Sequence, residues 1–181
     1  YLFYGQHKRL FNAINQQMRA DIFFTYAYLD IPTKTLISKN NIVLTDTTIS
    51  GDMQACRHAN GRDWWLIKPG LKENEIYYGL LSPSGITMQL LEIPDITSRY
   101  QAGTFSQFSF DGTKYFHYTG TYTRTMFVYD FDRCNGSLSN PITIDISDSL
   151  MYGDHNAFAL SPDGTKIYIR KYNYTPLFPQ I

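Results

Sequence analysis

One phrase recurs in this 181-residue chain at a near-constant spacing. Ser161-Pro162-Asp163-Gly164-Thr165-Lys166 runs directly into Ile167-Tyr168-Ile169. Ser109-Phe110-Asp111-Gly112-Thr113-Lys114 runs into Tyr115, and a weaker copy, Asn60-Gly61-Arg62-Asp63, runs into Trp64-Trp65. Gly112 and Gly164 are 52 residues apart, and Gly61 and Gly112 are 51 apart. Each copy reads as a tight turn opening into a strand. Aspartate or asparagine bonds its own backbone, glycine accepts the positive φ of the reversal, and β-branched or aromatic residues follow.

A second set of landmarks keeps the same period. Tyr26 and Tyr77, Pro32 and Pro83, and Gly85 and Gly136 are each separated by 51 residues. Two matched turns and four strand-like runs per unit are the signature of a propeller blade. The runs themselves agree. Phe23-Phe24, Trp64-Trp65-Leu66-Ile67 and Met126-Phe127-Val128-Tyr129 place large apolar groups on both faces of a strand, as a sheet packed between two others requires. The adjacent tryptophans are expected to touch opposite neighbouring blades.

The sequence therefore predicts an all-β chain, a β-propeller fragment of four-stranded antiparallel blades with a 51–52-residue repeat. About three to three and a half blades fit: a remnant over residues 1–44, blades over 45–95 and 96–147, and a partial blade over 148–181. A ring of seven such blades needs roughly 350 residues, so the chain supplies about half of one. It starts without Met inside an apparent strand, which suggests part of a longer polypeptide. Leu10, Ile14 and Met18, spaced i, i+4, i+8, predict a short amphipathic helix over 9–18, inserted between strands.

Composition narrows the partners. Lysine and arginine total 16, aspartate and glutamate 16, so there is no electrostatic footprint for nucleic acid. No apolar run approaches the length of a membrane span. Cys56 and Cys134 stand far apart and outside any C-x-x-C spacing, which gives zinc and redox motifs no support. A disulfide between them, or separate roles as a buried hydrophobe and a turn residue, both stay open. Nucleotide-binding, metalloprotease and nucleophile-elbow motifs are missing, so neither cofactor nor metal is expected. Asp130-x-Asp132-x-Cys134-Asn135-Gly136 departs from a calcium loop at its third ligand and its glycine.

The segments from Arg57 to Ile67, from Phe108 to Tyr115 and from Tyr129 to Pro141 resemble the WD40-like β-propeller region of large secreted or surface Bacteroidota proteins, of the type IX secretion cargo type. The likeness covers roughly residues 20–181. It implies a propeller and an extracellular or cell-surface location, and it implies no reaction.

His58 next to Arg57, with Asp63 nearby, could support acid–base chemistry, but the recurrence of that turn favours a structural role. Asn60, Gly61, Asp63, Asp111, Gly112, Asp163 and Gly164 are read as structural turn residues on one face of the disc. The loops on the opposite face differ between units and are where specificity would sit. Tyr100, His117, Tyr118, Tyr122, Arg124, Asp154 and His155 are the candidate ligand contacts there, with no catalytic residue assigned. The expected function is a non-catalytic binding or scaffolding module for a protein or glycan, completed by the remaining blades of the same propeller. The alternative is part of a propeller lyase or hydrolase with its active site in the central channel. First-strand residues Gln54, Arg57, His58, Ser106, Gln107, His155 and Asn156 would then converge on it. A cap regulating a neighbouring peptidase domain is a third class.

Overall fold

The computed structural model describes residues 1–11, 17–49, 52–70, 75–93, 104–119, 125–146 and 157–169. Fourteen strands are present among them, in four antiparallel sheets. The first sheet holds β1 (Leu2–Phe11), β2 (Gln17–Asp30) and β3 (Thr35–Leu44), with the short β4 (Thr48–Ile49) pairing back onto β2. The second runs in the order β5 (Gln54–Arg57), β6 (Trp64–Pro69), β7 (Glu75–Ser82) and β8 (Gly85–Glu92). The third repeats it with β9 (Thr104–Phe108), β10 (Lys114–Thr119), β11 (Thr125–Phe131) and β12 (Leu138–Asp145). The hairpin of β13 (Phe158–Leu160) and β14 (Ile167–Ile169) is the start of a fourth. These are propeller blades, and the first strands of the two complete ones, β5 and β9, lie against each other.

The helix expected over 9–18 is corrected. Residues 9–11 belong to β1 and 17–18 to β2, and the two strands pair antiparallel with Arg9 opposite Arg19 and Leu10 opposite Met18. The spacing that suggested one helical face also suits a chain that reverses and pairs with itself. Ladder bonds to a neighbouring strand outweigh a weak local preference. The segment 45–49, which the repeat spacing groups with the second blade, contributes β4 to the first sheet.

The repeated phrase builds the same turn each time. Gly61, Gly112 and Gly164 adopt φ of 73°, 72° and 68°, the left-handed region that other residues enter at a cost. In the second copy Asp111 Oδ1 accepts from Thr113 N at 3.0 Å and from Ser109 Oγ at 2.7 Å. In the third, Asp163 Oδ1 accepts from Thr165 N at 3.1 Å and from Ser161 Oγ at 2.5 Å. In the first, Asn60 Oδ1 does this work, accepting from the amides of Arg62 and Asp63 at 3.0 Å each.

Burial on both faces follows the strand period. Trp65 and Ile67 of β6 join Cys56, Ile76, Phe108, Tyr115, Phe127 and Tyr129 in one core between the second and third blades. Phe116, Tyr118 and Met126 point the other way and pack with Phe158. Each such side chain contributes about 1.5–3 kcal/mol relative to exposure. Trp65 also anchors polar contact between blades, its Nε1 donating to the Arg133 carbonyl at 2.9 Å. The same oxygen accepts from Ala59 N at 3.0 Å. Trp64, half out in solvent at the rim of the blade, borders a hollow shared with Tyr1 of the first sheet and also the groove towards the third blade.

Candidate functional site

At the strand ends that lead into the second-to-third and blade-to-blade connections, charged residues are buried rather than displayed. Lys68 closes the apolar run of β6, and its Nζ lies 3.1 Å from Asp21 Oδ2 near the start of β2, the two side chains being 1% and 2% exposed. Nζ also donates to the Asp52 carbonyl at 3.3 Å and stands 5.2 Å from the centre of the Phe24 ring, a cation–π contact. Burial pushes the Lys68 ammonium down, and the charge and hydrogen bond of Asp21 oppose the shift. Space for the carboxylate comes from β1: a Cβ on Gly5 would collide with Asp21 Cγ.

Asp52, just ahead of β5, carries this polar row into the third blade. Its Oδ1 accepts from Ser106 Oγ at 2.8 Å and from Ser106 N at 3.3 Å. Burial raises its pKa from the usual 3.8 to about 6, although the Ser106 hydroxyl bond and the Lys68 charge pull it down. Ser106 of β9 faces His117 of β10 in the ladder, so the two share one side of the sheet. His117 is buried, and desolvation lowers its pKa from 6.5 to about 4, leaving a neutral imidazole at pH 7. Asp52 Oδ2 and His117 Nδ1 make no hydrogen bond among the described residues. The row Asp21–Lys68–Asp52–Ser106–His117 thus crosses three blades.

Two of the seven candidate contacts fall within the described residues. His117 and Tyr118 sit in β10, inside the sheet rather than on an exposed rim, and their expected exposure is corrected. A blade strand packed on both sides buries successive residues, His117 towards Ser106 and Tyr118 towards Phe158, whose ring centre is 6.5 Å away. Tyr100, Tyr122, Arg124, Asp154 and His155 lie outside the described residues.

The turn residues are engaged in their turns. His58 Nδ1 accepts from Asn60 N at 2.9 Å, and Asp63 is paired with Arg62 at 2.8 Å, which holds its carboxyl below the usual range. Asp132 of the faint calcium-like segment accepts from Cys134 N at 2.7 Å and from Asn135 Nδ2 at 2.8 Å. Cys56 and Cys134 are both free thiols, the first buried and the second exposed.

Sequence reasoning named Ser106 and His117 but missed Asp21, Asp52 and Lys68. The signal for Asp21 and Lys68 is a charge set flush against an apolar run, Asp21 before Ile22-Phe23-Phe24 and Lys68 after Trp64-Trp65-Leu66-Ile67, whereas Asp52 has no such neighbour. Such a charge is flanking solvent or buried and paired, and only the third dimension separates the two.

No protein-family model and no curated protein matches the chain. Solved structures do. One, described as a putative 6-phosphogluconolactonase from Bacteroides fragilis, superposes with a TM-score of 0.51 at 10% identity, over 90% of this chain and 46% of that one. Another, described in the same words and from Bacteroides uniformis, gives 0.55 at 12% identity, over 91% and 47%. At such identities the likeness is one of fold, and the chain spans about half the length of these structures.

Proposed function

We propose that the chain supplies a run of blades to an extracellular or cell-surface β-propeller whose variable-loop face binds a protein or glycan without transforming it. The observation that carries this reading is the division of labour between the two ends of the blades. At one end the Asn60, Asp111 and Asp163 turns close on themselves with the same bond, the side-chain oxygen accepting from the amide two residues on. At the other, a buried polar row ties three blades together, and the connections that follow in sequence are unequal in length and composition. A rigid base carrying unlike loops is the arrangement of a binding face. The resemblance to surface Bacteroidota propellers supports the location. A glycan array together with affinity capture from the organism's own envelope fraction, using the full-length protein, tests the reading. Binding to neither sinks it.

A second reading has its own support. Asp52, from the strand entry of the second blade, meets Ser106 on the first strand of the third, which faces His117 on the second strand. This brings a raised carboxyl and an imidazole nitrogen without a hydrogen bond among the described residues to one sheet face, as general acid–base chemistry would use. The two described fold neighbours carry the name 6-phosphogluconolactonase. The full-length protein assayed for 6-phosphogluconolactonase activity separates the two: turnover abolished by Asp52→Asn replaces the binding reading with an enzyme.

A further inference from the structure

The face assigned to scaffold carries a groove that the scaffold does not need. It has a volume of about 440 Å³, lies between the second and third blades, and is lined by Arg57, Trp64, Phe108, Phe110, Asp111 and Arg133 among others. Phe110 is 89% exposed and Trp64 42%. The turn does not require Phe110: the copy with Pro162 at the equivalent position makes the same aspartate bonds, and the first copy has Ala59 there. A large ring left in water beside a second aromatic marks a contact surface.

The charge around these rings is one-sided. Arg57 faces Trp64 across the β5–β6 ladder, is exposed, and pairs with no carboxylate among the described residues. The guanidinium of Arg133 is fixed by donation to two carbonyls, Nε to Arg57 O at 2.9 Å and Nη1 to Asp111 O at 3.1 Å, and it pairs with no carboxylate among the described residues. The Asp111 carboxylate is turned into its own bend by Ser109 and Thr113, whose hydrogen bonds hold it below the usual range. Two guanidiniums over an aromatic floor complement a carboxylate next to an apolar side chain.

We propose that this groove docks an acidic peptide segment of a partner protein, with an aromatic or aliphatic side chain against Phe110 and Trp64 and a carboxylate on Arg57. The site is independent of the variable-loop face, and its occupancy does not depend on what that face binds.

The test uses the full-length protein and a fluorescein-labelled hexapeptide, acetyl-DELFDE-amide, read by fluorescence anisotropy. Saturable binding that weakens with added salt is expected, and Phe110→Ala and Arg57→Glu should each reduce affinity by about tenfold or more. Because both side chains are exposed, the variants should keep the parent's melting temperature, which checks that folding is intact. The charge-inverted probe, acetyl-KRLFKR-amide, should not bind. Absence of saturable binding, equal affinity in the parent and both variants, or equal binding of the basic probe overturns the proposal. So does concentration-dependent self-association abolished by Phe110→Ala, which would make the groove a contact between copies.

Discussion

Asp52 and His117 stand on either side of Ser106, and burial moves their ionisations in opposite directions, the carboxyl up to about 6 and the imidazole down to about 4. The fold therefore holds a proton on Asp52 that the unfolded chain gives up above its ordinary value of 3.8. That contribution is complete below pH 4 and is lost as pH rises towards 6. The fold also refuses His117 a proton that the unfolded chain takes up below 6.5, so its contribution is complete above 6.5 and lost as pH falls towards 4. Each is worth on the order of 3 kcal/mol across its window. Because the windows overlap, the two slopes should nearly cancel between pH 4 and 6. Urea midpoints are expected to stay flat for the parent, to rise with pH for Asp52→Asn and to fall with pH for His117→Gln. A parent curve as steep as either variant contradicts the pairing.

Breaking the Asp21–Lys68 pair should cost more than replacing it. Asp21→Asn leaves an ammonium buried without its counter-charge and should lower stability by about 3–5 kcal/mol. Asp21→Leu combined with Lys68→Met removes both charges at similar volume and should recover most of that loss. Chemical denaturation of the three proteins at one pH decides the matter. A double variant weaker than the single one would mean that the pair itself, not its desolvation, dominates.

Two turn glycines with the same backbone should respond differently to one methyl group. At Gly164 a Cβ meets nothing within 4 Å, so Gly164→Ala should cost only the left-handed strain, about 1–2 kcal/mol. At Gly112 the same Cβ would lie 2.5 Å from Cys56 Sγ on the neighbouring blade, and Gly112→Ala should cost clearly more. Adding Cys56→Ala should return part of the excess, a coupling that a double-mutant cycle measures directly.

Expressed alone, these blades should associate. Leu36, Ile37 and Ile42 on β3 and Ile142 and Ile144 on β12 are exposed apolar groups on the strands that form sheet edges. Such edges template pairing with another chain. Light scattering should show a mass that grows with protein concentration. A folded monomer at high concentration would disprove this.

How much of this was legible in the sequence depended on whether a feature repeats. The Asp111 and Asp163 turns could be read because each is a local device, complete within six residues and present again about fifty residues away. The alternation of Met126 with Phe127, and of Trp65 with Leu66, followed from a strand buried on both faces. Residues 9–18 were misread because a short run of apolar residues at helical spacing carries no information about a partner strand. The polar row stayed hidden for a different reason. Asp21, Lys68 and Asp52 occur once each, on three separate elements, and nothing local distinguishes a lysine whose ammonium is buried from one whose stem merely covers an apolar surface. Phe110 could be seen as a departure from its repeat, but its meaning depends on Arg57 and Trp64, which only the packing of two blades brings beside it.

The acceptor that Trp65 and Ala59 share is the main-chain oxygen of residue 133. Substitution there can alter the side chain but cannot remove that oxygen. A deletion or insertion within the bend can, because it slides every peptide unit past its partner. The joint between these blades is therefore specified by loop length more than by residue identity. A library varied at position 133 should retain far more folded members than one in which a single residue is dropped between Phe131 and Leu138.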